Sequence, residues 1–301
     1  MLKKLGLTSV MLLSAGAAHA QSMPAGFYMD GYVQGEYITG SGDGEFVYGI
    51  DVTLGYSGAN TGSMPIGFEL DLYAIDSDGF NVDPVVLGSV FYDSSFGRIS
   101  IGKPDSPLDD YIARPSFGNS MLFNLFPGYY FGSYFNLLVL DGGSNNYQYG
   151  ARFDGQMGNF EYGISYHDFQ DANYSIAAAG RYRFADYYTA AFGVEYLDNG
   201  SASDTKYSAS LEADYGQFGG QMTITNFEST TLYSIRASYE VMQNLELSAE
   251  YIDFPFGEMA TIGAEYSFMD HGYVGASALM PSGSVDPIYN IYAGWKLNYG
   301  G

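Results

Sequence analysis

Between Phe46 and Tyr56 every even position is apolar or aromatic: Phe46, Tyr48, Ile50, Val52, Leu54 and Tyr56. The odd positions, Glu45, Val47, Gly49, Asp51, Thr53 and Gly55, are mainly small or acidic. A period of two marks a β-strand with two unlike faces. An aromatic at each end of an apolar face about ten residues long matches a tilted strand crossing hydrocarbon, with its rings at the two interfaces. The same alternation returns at Ile66–Tyr73, Phe160–His167, Lys206–Asp214 and Tyr289–Tyr299. Counting every such segment predicts about 16 strands. They start near Phe27, Phe46, Ile66, Val85, Phe96, Asn146, Phe160, Tyr174, Tyr188, Lys206, Gln221, Thr231, Leu245, Met259, Tyr273 and Ile288.

A sheet facing lipid cannot keep an open edge, because each unpaired N–H or C=O in hydrocarbon costs several kcal/mol. The last strand must therefore pair with the first, giving an all-β, antiparallel transmembrane barrel. About 16 strands make it too wide for side chains to fill, so it encloses water. Ala185-Asp186 and Met242-Gln243-Asn244 read as tight turns, and Leu197–Thr205 and Met280–Pro287 as longer loops on the opposite side. An even strand count puts both termini on the turn side.

Residues 1–20 read as a cleaved secretory leader: Lys3 and Lys4, an apolar stretch from Leu5 to Leu13, and the small-x-small site Ala18-His19-Ala20. The remaining 21–301 read as one barrel domain. Removing two lysines and no acid takes the formal charge from −23 to −25. That acidity argues against a nucleic-acid partner, and the absence of Cys excludes disulfides and thiolate metal sites. Aromatics at 17% against 15% charged residues are unlike an acidic disordered chain.

Alternation stops after Phe96–Gly102 and resumes only near Asn146. A loop over about 103–145 needs a functional explanation. It opens Lys103-Pro104-Asp105-Ser106-Pro107-Leu108-Asp109-Asp110 and passes through Pro115 to Pro127-Gly128-Tyr129-Tyr130-Phe131, a mixture suited to a folded loop. Strand parity places Arg98, Arg152, Arg181 and Arg183 on lumen-facing positions, a concentration in a mature chain with only nine Lys and Arg. The same parity puts Glu45, Asp51, Glu69 and Asp71 on the lumen face of early strands.

The leader, the repeated strands and the run Phe96-Gly97-Arg98-Ile99-Ser100-Ile101-Gly102-Lys103 followed by Asp105-Ser106 resemble the general bacterial porins, particularly those of alphaproteobacteria. The architecture covers the mature chain; the local motif covers about ten residues. The resemblance implies a trimeric 16-stranded barrel in the outer membrane, in contact with its lipid and lipopolysaccharide. It also implies a third loop folded into the pore, with Asp105, Asp109 and Asp110 at or near the constriction and Arg98 on the facing or adjacent wall. Two features depart from the family: early strands carry acids where arginines are common, and the chain ends Leu297-Asn298-Tyr299-Gly300-Gly301 rather than on an aromatic.

The expected function is passive diffusion of small hydrophilic solutes and ions. Excess carboxylates concentrate cations and predict a cation preference. One alternative is a sugar-selective channel with Tyr129, Tyr130, Phe131 and Tyr134 as a stacking slide; another is a structural or adhesive barrel with a plugged lumen. No enzymatic activity is expected, since His167 near Asp168 is more often a solvated polar residue than a base. No cofactor is required. Asp76, Asp78 and Asp83 form a weak candidate calcium loop lacking the full Asp-x-Asp-x-Asp-Gly spacing.

Overall fold

The computed structural model describes residues 25–300 apart from 41, 43, 60–61, 63, 78–80, 123, 125–129, 136–146, 171–172, 199, 201, 228–229 and 284. The expected leader therefore lies outside the described residues. The first eight strands are β1 (Phe27–Thr39), β2 (Glu45–Ser57), β3 (Ile66–Ser77), β4 (Asn81–Ser94), β5 (Gly97–Gly102), β6 (Tyr147–Met157), β7 (Phe160–Phe169) and β8 (Tyr174–Phe184). The ring continues with β9 (Tyr188–Asp198), β10 (Ser203–Tyr215), β11 (Phe218–Phe227), β12 (Thr230–Met242), β13 (Leu245–Phe254), β14 (Gly257–Phe268), β15 (Gly272–Pro281) and β16 (Ile288–Gly300). Each strand pairs antiparallel with the next, and β16 pairs with β1 from Tyr28 opposite Gly300 to Thr39 opposite Tyr289. The sheet closes, as the open-edge argument requires.

The strand expected near Val85 begins earlier, at Asn81. A bulge between Tyr73 and Ile75 shifts the β3–β4 register, and Pro84 sits among the first residues of β4, so no clean period shows there. The expected division into a short-turn side and a long-loop side holds only in part. The turns at 158–159, 216–217 and 243–244 are tight, but 58–65 lies on the same side. It is closed by the Gly58 N–H to Ile66 C=O bond at 3.0 Å and tied to β4 by Asp93 N–H to Pro65 C=O at 2.8 Å. On the other side, 255–256 alone joins β13 to β14 and is as tight as any turn.

The usual inside and outside are exchanged. Phe46, Ile101, Ile164, Phe192 and Ile291 point outward and are exposed, while Gln34, Glu36, Glu195, Lys206, Thr223 and Asn290 are buried inside. Outward side chains meet lipid, so Ile164→Arg, in the middle of β7, is expected to destabilise the barrel by ~2–4 kcal/mol. Urea unfolding in lipid vesicles reads that shift, and an unchanged midpoint would show that Ile164 does not face lipid. At the C-terminal end Tyr299 is opposite Met29, and its hydroxyl accepts the Trp295 indole N–H at 3.4 Å. The terminal aromatic is thus fastened into the seam between first and last strands.

Candidate functional site

β5 is the shortest strand of the wall, and the chain leaves it at Gly102 with φ at 129°. A Cβ there would approach the Gly88 carbonyl oxygen to 2.6 Å, so this turn into the lumen requires glycine. Ser106 then caps a short helix, α1 (Pro107–Tyr111), by accepting the Leu108 N–H at 3.3 Å. Proline at the first helical position and Asp109 and Asp110 in the first turn suit the helix start. Leu108, Tyr111 and Ile112 pack on Ala177, Ala179 and Ala191 of β8 and β9. Small side chains and Gly193, where a Cβ would lie 3.1 Å from Leu108 Cγ, leave room for the helix against the wall.

Beyond α1 the loop crosses the lumen, fastened mainly by wall side chains binding its backbone. Thr223 donates to the Ala113 carbonyl at 2.7 Å, and Gln221 donates to that of Arg114 at 2.9 Å. Glu250 accepts the Ser116 N–H at 3.1 and 3.2 Å. Glu265 of β14 accepts from the Asn119 side chain at 2.8 Å. On the far side Glu36 of β1 accepts the Leu122 N–H and the Ser120 hydroxyl, both at 3.0 Å. The limb at 130–135 returns to the wall near β9–β13.

The passage left beside this loop includes a cavity of about 570 Å³. Asp51, Asp71 and Tyr73 face it from the wall, and Asp105, Asp110 and Arg114 from the loop. Arg181 and Glu212 lie at its other limit, and Glu212 also borders a second cavity of about 490 Å³ with Arg183, Arg236 and Glu246. The two cavities therefore adjoin along the lumen. Asp105 is pushed well above the ordinary carboxylate range, first by loss of water and then by the neighbouring charges of Asp71, Asp110 and Asp109.

The expected acids and bases are only partly brought together. Arg152 binds Asp110 at 2.5 Å and Asp154 at 2.7 Å, and donates to the Asp105 carbonyl at 3.3 Å. Asp109 is mostly buried, holding the Ser133 N–H at 3.0 Å and hydroxyl at 2.5 Å, with Arg114 at 3.4 Å. Arg181 pairs with Glu161 at 2.5 Å, and its guanidinium lies 5.3 Å from the Tyr111 ring centre. Arg98 is placed apart from the loop acids. It pairs with Asp93 at 2.7 Å and stacks on Phe91 near the β4–β5 turn. Arg183 has no carboxylate partner among the described residues.

Of the expected lumen acids, Asp51 and Asp71 border the cavity, while Glu45 accepts from Ser77 at 2.6 Å and Glu69 from Tyr28 at 2.6 Å. The early strands thus supply acids to the passage, and the loop itself supplies a base. Arg114 was not anticipated, because parity assigns nothing in a stretch without alternation. Being an arginine within the interrupting segment was the available signal.

The loop aromatics turn toward the wall. Phe131 and Tyr134 are buried with Phe227, Leu232, Ile252 and Phe254, and Tyr130 packs edge-on to Phe227 and Phe254 at 5.5 Å. Tyr134 also hydrogen-bonds Asp204. Tyr129 lies outside the described residues. His167 is fully buried rather than solvated, between the Tyr147 hydroxyl at 2.9 Å and the Ser165 hydroxyl at 2.7 Å. Tyr147 in turn donates to the Pro104 carbonyl at 3.2 Å, so this chain secures the loop's base. Of the candidate calcium residues, Asp76 accepts from Tyr48 at 2.5 Å, Asp78 lies outside the described residues, and so does the side chain of Asp83. Among the described residues no group of three or more His, Asp or Glu is placed to hold a metal ion.

A family model described as Gram-negative porin matches residues 6–279. No curated protein matches the chain in sequence. Among solved structures, an engineered mutant of the Rh. blastica porin superposes with a TM-score of 0.64 at 12% identity, covering 90% of this chain and 100% of that one. OmpT of Vibrio cholerae, solved with its loop L8 deleted, superposes with a TM-score of 0.63 at 16% identity, covering 90% and 98%.

Proposed function

Because the chain belongs to the Gram-negative porin family, and so forms a channel in the bacterial outer membrane, we propose that it passes small hydrophilic solutes, prefers cations and catalyses no reaction. The observation carrying the preference is the lining of the passage. Asp51, Asp71, Asp105, Asp110 and Glu212 face it against Arg114 and Arg181, and the guanidinium of Arg152 is already committed to Asp110 and Asp154. Fixed carboxylates in a narrow aqueous passage raise the local cation concentration. A planar bilayer under a KCl gradient tests this: the reversal potential has the sign of cation permeation, and the opposite sign would refute the preference.

The pH dependence follows from Asp105. The folded state holds its proton more tightly than an unfolded carboxylate of ordinary pKa about 3.9. Asp105 is therefore discharged at a higher pH than an ordinary carboxylate. Cation preference should fall before pH 4 is reached. The docked loop should become firmer over the same window, since the folded state takes up the proton. Reversal potentials recorded from pH 7.5 to 4.5 check the first effect; a flat profile would remove Asp105 from the conducting field.

The aromatic slide loses its basis in Phe131 and Tyr134, whose rings are buried in the wall cluster. A plugged structural barrel predicts no steady conductance, which the same recording reads. The reading needs no cofactor: EDTA leaves conductance unchanged, and a loss would point to calcium at the acidic rim. Trimeric assembly and contact with lipopolysaccharide belong to the same proposal, and native mass spectrometry of the detergent-extracted protein tests both.

A further inference from the structure

Lys206 is a cation with no exposure at all, and a buried Lys or Glu is rarely found without compensating partners. It lies on β10 opposite Glu195 of β9, which is equally buried. The pair does not face the passage. Lys206 Nζ donates to the Gly132 carbonyl at 2.5 Å and sits 4.7 Å from the Tyr134 ring centre and 4.8 Å from that of Phe227. Glu195 accepts the Tyr134 N–H at 2.5 Å and the Phe135 N–H at 3.3 Å. Two opposite charges facing each other across the β9–β10 register thus grip both polarities of one stretch of loop backbone, the carbonyl on one side and two amides on the other. Between these grips Ser133 binds Asp109 of α1 through its N–H and hydroxyl. The returning limb is thereby fixed to the wall and the outgoing limb to the returning one.

We infer that Lys206 and Glu195 are positioning residues for conduction: together they clamp residues 132–135 so that α1 and the acids beside it keep their place in the passage. The inference rests on the channel reading above, but its test does not depend on ion selectivity. Apolar burial alone holds Phe131 and Tyr134 against the wall without fixing how far the limb slides; charge-assisted bonds to named backbone atoms fix it.

The chain has no cysteine, so Ser133→Cys supplies a single reporter at a fully buried position. In the otherwise unchanged barrel, reaction with a water-soluble maleimide should be slow, limited by local opening of the clamp. Adding Lys206→Met should accelerate labelling by at least roughly tenfold, whereas Lys206→Arg, which keeps charge and donors, should stay near the parent rate. Single-channel records of Lys206→Met without the reporter should show flickering closures that the Arg variant lacks. Folding is checked by heat-modifiable gel migration. Should Lys206→Met fail to fold because Glu195 is left uncompensated, the double variant Lys206→Met, Glu195→Gln removes both charges and takes its place under the same criterion. Equal labelling rates in a folded variant and its parent overturn the clamp. Absence of current in the wild-type protein would instead count against the channel reading and leave the labelling result standing.

Discussion

Replacing Arg152 with methionine is expected to destabilise the folded protein by ~3 kcal/mol, the low end for breaking a buried ion pair from one side. The side chain is 10% exposed and its guanidinium is shared between Asp110 and Asp154, with a third bond to the Asp105 carbonyl. Asp154 also accepts the Tyr111 hydroxyl at 2.8 Å, so the end of α1 rests on the same carboxylate. Without the guanidinium, Asp105, Asp110 and Asp154 remain in one corner of the lumen without their counter-charge. Water in the passage screens Asp110, which is why the upper end of the range is not reached. Arg152→Lys restores charge but not the fork that bridges two carboxylates, so it should recover only part of the loss. Urea unfolding in vesicles measures both variants. A methionine variant as stable as the wild type would mean that Arg152 does not seat the loop.

The largest functional change is expected from neutralising Asp51, Asp71, Asp105 and Asp110 together as asparagines. Arg114 and Arg181 then face only Asp109 and Glu212 in the lining, and the excess of fixed negative charge there is cancelled. The ratio of cation to anion permeability should fall by roughly tenfold at low salt, and the reversal potential should move toward zero. In 1 M KCl, where the screening length is about 3 Å, the difference should shrink strongly. Asp109→Asn serves as the internal comparison. Its carboxylate is spent on Ser133 and Arg114, so it should disturb open-state noise more than selectivity. A fourfold variant with wild-type reversal potential would place the selective field outside this cavity.

The barrel was legible in the sequence because its signal belongs to each strand separately. Phe46 to Tyr56 announces a lipid-crossing strand without reference to any other residue, and the expected start is furthest off where Pro84 and the nearby β3 bulge interrupt the pattern. Lumen positions were legible by the same parity, which put Arg152 and Arg181 on the correct face. The loop's route was not legible. It is fixed by wall residues that bind backbone atoms: Glu250 to the amide of Ser116, Glu36 to that of Leu122, Glu195 to that of Tyr134. Any residue type offers such an amide, so the sequence carries no mark of it. The aromatic run at 129–131 was visible as a feature but not in its direction, since a ring that stacks on a solute and a ring that packs on Phe254 are written with the same letter.

Glu36 also ties the loop to the closure of the barrel. Its carboxylate holds the loop through Ser120 and Leu122, and it accepts the Asn290 side-chain N–H of β16 at 3.1 Å. One residue of the first strand thus waits on a loop made midway through synthesis and on the strand made last. A chain cut short before β16 leaves the β1 edge open and this carboxylate lacking a donor, so an incomplete product is penalised twice at one place. Closing the wall and seating the constriction are thereby coupled through one carboxylate.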